Sequence, residues 1–71
     1  MTLYDFIFGL NQDEDILIKV IDIETDDVLI DKSWKSDLER WTRFPEIYNR
    51  EVCDFIVSKC NSNTMLEIVI Y

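Results

Sequence analysis

The sequence contains no histidine, one glycine, one proline and two cysteines in 71 residues, and each scarcity removes a class of chemistry. Without histidine the commonest general base is missing, so neither a Ser–His nor a Cys–His nucleophile pair can be assembled. The single glycine, Gly9, excludes the glycine-rich loops that cradle phosphates in P-loop and dinucleotide-binding proteins. Cys53 and Cys60 alone are too few ligands for a structural zinc site. Their odd separation also sends the two thiols to opposite faces of one strand, so they read as reduced, small apolar side chains rather than a disulfide. No apolar run approaches the roughly 18 residues needed to cross a bilayer, and Asp5 without an early Lys or Arg is unlike a signal peptide. The reading is a cytoplasmic chain without a membrane partner.

Paired carboxylates remain, and glycoside hydrolysis needs only two. Yet a substrate cleft is hard to carve from so small a core, so the chain reads as a non-enzyme with no cofactor. Asp22, Glu24 and Asp26 stand at the first, third and fifth positions of a possible calcium loop. Its sixth position is Asp27 where glycine is needed, and its twelfth is Ser33 where a bidentate Glu is needed. A solvated acidic hairpin with no bound metal is the better reading.

What is present is a foldable core. The composition is 48% hydrophobic and 13% aromatic, too apolar for intrinsic disorder despite a net charge of −8. A chain this short makes one domain over residues 1–71, because its apolar surface cannot be divided between two cores. Domains of this size keep only about 3–5 kcal/mol of net stability, so self-association through a strand edge into a homodimer is an alternative reading.

Thr2 followed by Asp5 has capping-box spacing, and Leu3, Phe6, Ile7 and Leu10 then recur at helical intervals until Gly9 and Asn11. Residues 16–23 (ILIKVIDI) read as a strand, Glu24–Thr25–Asp26–Asp27 as a turn, and Val28–Leu29–Ile30 as its return. Pairing Ile23 with Val28 and Ile21 with Ile30 puts these four residues on one face. Asp22, Glu24, Asp27 and Asp31 then share the other. Residues 33–43 have helical spacing, with Trp34, Leu38 and Trp41 along one stripe and Glu39 four residues before Arg43. The two tryptophans read either as core or as binding anchors. Phe44–Pro45 interrupts, and a short turn follows around Glu46–Asn49. Residues 51–59 and 65–71 form a second hairpin across Asn61–Ser62–Asn63–Thr64. Pairing Cys60 with Met65 gathers Phe55, Val57, Leu66, Ile68 and Ile70 on one face, the best core candidate in the chain. The expected fold is α+β, in the order α-β-β-α-β-β, with two antiparallel hairpins in one sheet and helices on one face.

Charge is the main functional clue. Residues 13–31 hold eight acids (Asp13, Glu14, Asp15, Asp22, Glu24, Asp26, Asp27 and Asp31) against Lys19 alone, whereas residues 32–71 balance six acids with six bases. Such a field repels nucleic acid and steers basic partners, so direct DNA or RNA binding is not expected. Carboxylates along a hairpin can instead stand in for phosphates and occupy a Lys- and Arg-lined groove on a nucleic-acid-binding protein. Only Lys19 and Lys32 lie near enough in sequence to offset them. These eight acids are the candidate partner-binding residues.

The opening Thr2–Leu3–Tyr4–Asp5–Phe6–Ile7, then Leu10–Asn11 with an acidic hairpin, and Asn49–Arg50–Glu51–Val52 before a strand pair resemble small proteins of phages and mobile elements in low-GC Gram-positive bacteria. Those proteins often carry a glycine in the first turn, where this chain has Asp26 and Asp27. Some small acidic phage proteins are anti-CRISPRs, which block effector nucleases by occupying their nucleic-acid-binding surfaces. The resemblance therefore implies a phage inhibitor acting in the host cytoplasm on a defence protein such as a CRISPR effector. The alternative is a structural or regulatory phage protein that self-associates.

Overall fold

A computed structural model describes residues 1–10, 14–40 and 45–71. In chain order these form α1 (Leu3–Phe8), β1 (Leu17–Asp22), β2 (Val28–Trp34), α2 (Lys35–Arg40), α3 (Pro45–Tyr48), β3 (Val52–Cys60) and β4 (Asn63–Ile70). The class is α+β as expected, but the order gains a helix. Pro45, expected to interrupt the chain, opens α3, because its fixed φ and missing N–H suit the first helical position. Both hairpins join one four-stranded sheet in the order β2-β1-β4-β3. The central strands β1 and β4 run parallel, which the helical connection from β2 to β3 makes possible.

Local sequence explains the frame of the molecule. Thr2 caps α1, its hydroxyl accepting the Asp5 amide at 3.2 Å. Six residues cannot hold a helix alone, so Leu3 and Ile7 anchor α1 by complete burial on the sheet. They cluster with Leu38 of α2 and Tyr48 of α3 over Ile16, Ile18, Val20, Ile30, Leu66, Ile68 and Ile70. Side chains alternate along a strand, so Leu17, Ile21, Met65 and Val69 project from the opposite face. Leu17 is only 8% exposed yet stands outside that cluster. The nearly unbroken apolar run of β1 thus supplies both faces of a central strand.

The first hairpin departs from the expected register. Ile21 faces Val28 and Val20 faces Ile30, while Ile18 faces Ser33. Going from the first pair to the second takes one residue in β1 and two in β2. The next step takes two and three. β2 therefore carries two bulges, with Lys32 at φ 39° in the left-handed region. Consequently Ile30 is buried, while Ile23 and Val28, expected beside it, are exposed. Bulging also carries β2 through Ser33 and Trp34, which therefore do not start a helix. Trp34 faces Leu17 and remains partly open to solvent. Asn11, Trp41, Arg43 and Phe44 lie outside the described residues.

In the second hairpin Cys60 faces Asn63 rather than Met65. Asn61 and Ser62 form a two-residue turn with φ of 50° and 69°, the doubly left-handed geometry that matches strand twist. A shift of two residues preserves faces, so Phe55, Val57, Leu66, Ile68 and Ile70 do share one side. Only Leu66, Ile68 and Ile70 are buried. Phe55 and Val57 sit on the edge strand, where Phe55 meets Phe6 with ring centroids 5.0 Å apart.

Candidate functional site: the acidic hairpin

The β1–β2 turn is organised by Asp22. Its Oδ1 accepts the amides of Glu24 at 2.8 Å and Thr25 at 3.3 Å, and its carbonyl accepts the Asp26 amide at 2.9 Å. The Asp22 amide in turn donates to the Asp27 carbonyl at 2.9 Å. Short acidic side chains suit such local capping of their own turn. Asp26 takes φ 60°, the conformation for which related turns would use glycine. Aspartate tolerates it better than most residues.

The second carboxylate oxygen of Asp22 accepts from Arg50 Nη2 at 2.8 Å, across 28 residues of sequence. Arg50 Nε donates to the Tyr71 carbonyl. Its own backbone carbonyl receives the Leu3 amide at 2.8 Å. Arg50 therefore clamps the ends of the two parallel strands and the start of α1 together. The Arg50 hydrogen bond, with those from the Glu24 and Thr25 amides, holds the Asp22 carboxyl below its usual range despite partial burial. With its side chain 13% exposed and both oxygens taken, Asp22 belongs to the frame of the hairpin, not to its outer surface. Sequence reasoning missed Arg50. It reaches Asp22 only because β1 and β4 lie side by side, with Asp22 directly facing Ile70.

Asp15 is likewise spent internally. One oxygen accepts the Ile16 amide at 3.0 Å and the Ser36 amide at 3.1 Å, and the other accepts the Ser36 hydroxyl. It thereby caps the first turn of α2 from a distant segment. Burial raises its pKa, but the Ser36 and Ile16 hydrogen bonds outweigh that and leave it lowered. Asp13 lies outside the described residues, and Glu14 is exposed. At about 3.3 Å per residue, β1 keeps Asp15 roughly 20 Å from the turn, so the described acids do not make one surface.

What remains outward is a smaller group. Glu24, Asp26 and Asp27 are exposed at the hairpin tip, and Asp31 is exposed on β2. Asp31 follows Ile30, whose side chain enters the core, so its carboxylate turns the other way. The bulges thus dissolve the expected single face of Asp22, Glu24, Asp27 and Asp31. In its place stand an inward Asp22 and an acidic tip flanked by Asp31. Among the described residues no helix is long and apolar enough to cross a membrane. The chain matches no protein-family model, and no curated protein or solved structure is significantly similar to it.

Proposed function

We propose that the protein is a non-enzymatic, phage-encoded inhibitor that docks its acidic hairpin on the basic nucleic-acid-binding surface of a host defence protein, such as a CRISPR effector nuclease. One observation carries the reading: Glu24, Asp26 and Asp27 stand exposed on a turn whose backbone is already pinned by Asp22 and Arg50. A charged loop that is ordered before it binds gives up less freedom on docking, and its field speeds encounter with a basic groove. The phage and CRISPR assignment rests on the sequence resemblance; the docking residues rest on exposure and charge.

The test replaces Glu24 by Gln and Asp26, Asp27 and Asp31 by Asn in one variant, leaving Asp22 and Asp15 to hold the fold. The basic partner captured from the bacterial host is titrated with both proteins, with and without its nucleic acid. The variant should bind at least tenfold more weakly, about 1.4 kcal/mol. Binding of the parent should compete with nucleic acid and fall steeply with salt, since screening sets in over about 8 Å at physiological ionic strength. A variant that binds undiminished removes the proposal.

A further inference from the structure

The two edges of the sheet are built differently. β2 is broken by two bulges and carries adjacent charges at Asp31 and Lys32, the usual devices that keep an edge from pairing. β3 has nine residues and runs against β4 without interruption from Asp54 to Cys60. At its centre Phe55, Ile56 and Val57 are 49%, 60% and 62% exposed. Counting back from the two-residue turn, ladder alternation leaves Phe55, Val57 and Lys59 with N–H and C=O turned away from β4. The Phe55 amide donates to the carboxylate of its neighbour Asp54 at 2.8 Å, so an acceptor outside the sheet can reach it.

We propose that two copies of the chain dimerise by antiparallel pairing of β3 with β3 about a two-fold axis at Ile56. Such an axis stands perpendicular to the joined sheet, so opposed residues must share a face. Centring on Ile56 sets Phe55 against Val57 of the second copy, and the reverse, using the outward backbone groups of both. Asp54 then lies beside Ser58 of the second copy, and the buried Ser58 hydroxyl has no hydrogen-bond partner among the described residues. Centring on Phe55 would draw the bulge between Val52 and Asp54 into the ladder, and centring on Val57 would set Phe55 against Lys59. The chosen register also places Phe55 and Val57 of the second copy along the open side of an apolar groove of about 180 Å³, lined by Phe6, Leu10, Phe55 and Val57.

Charge permits the pairing. β3 carries Asp54 and Lys59 and is neutral, while the acidic hairpin occupies the opposite edge. At about 4.8 Å between strands, the two β2 strands of the dimer stand roughly 34 Å apart. That exceeds the ~8 Å screening length severalfold, so the net charge of each copy does not oppose assembly. The pairing uses none of the acidic-tip residues and stands or falls separately from the proposed function.

Sedimentation equilibrium of the full chain across a broad concentration range tests it, with Ile56→Lys, Val57→Lys and the β2 control Asp31→Lys. The parent should be dimeric. Either β3 variant should raise the dissociation constant at least tenfold, and Asp31→Lys should leave it unchanged. Hydrogen exchange on the parent gives a reading that needs no variant: the Val57 amide should become protected as concentration rises. A monomer at every concentration, an undiminished Val57→Lys dimer, or a Val57 amide that exchanges freely in a dimer overturns the pairing.

Discussion

Ile68 is the residue on which the core depends most visibly. It is fully buried on central strand β4, with Val20 on one side and Phe55 on the other. Ile68→Ala deletes three carbons, about 2.4 kcal/mol of transfer free energy at roughly 0.8 kcal/mol each. If about 60 Å³ of the vacated space persists, the cavity adds about 1.4 kcal/mol at ~24 cal/mol per Å³. The sum, close to 4 kcal/mol, matches the whole stability of a domain this small, about 3–5 kcal/mol. The variant should therefore be largely unfolded by circular dichroism at room temperature. Ile68→Val loses one carbon and should cost about 1 kcal/mol, a fall in Tm of about 4–8 °C. Val57→Ala, on the same sheet face but at the exposed edge, should cost less in the monomer, measured by urea unfolding of the Ile56→Lys background. An Ile68→Ala protein that melts like its parent would refute the burial pattern. So would a Val57→Ala cost equal to that of Ile68→Val.

Two further outcomes follow from local geometry. The folded-state pKa of Asp22 is lowered, so its contribution is complete above the ordinary carboxylate range and is lost as pH falls through the depressed value. Asp22→Asn should therefore be less stable than the parent at neutral pH, with the gap closing below about pH 4, and a gap that ignores pH in acid denaturation would rule out the Arg50 clamp. Gly9 has an ordinary right-handed φ of −85°, but a Cβ there would stand 2.5 Å from the Asp5 carbonyl oxygen. Gly9→Ala should accordingly destabilise by about 1–3 kcal/mol in thermal melts, although alanine normally favours helix, and a stabilised variant would contradict the close approach.

Much of the fold was legible in local chemistry. The Thr2 cap, the α1 stripe, the runs of β-branched residues and the faces of the second hairpin are all nearest-neighbour or periodic signals. That hairpin kept its faces because a slip of two residues preserves alternation, whereas a slip of one would have reversed them. The acidic character of the first hairpin was equally plain from composition. Tertiary structure decided what no periodicity encodes. Bulges in β2 turned Val28 away from the face of Ile30, because an edge strand can insert residues without breaking a ladder on its far side. Parallel pairing of β1 with β4 brought Arg50 to Asp22, and packing of α2 brought Ser36 to Asp15. Among the described residues, the acids that sequence presents as one cluster thereby divide between Asp15 and Asp22, which hold backbone amides, and Glu24, Asp26, Asp27 and Asp31, which stand exposed on the first hairpin. The division follows from nearness in space: Asp22 and Asp15 meet the donors of Arg50 and Ser36 because the sheet order, rather than the chain, brings those segments together.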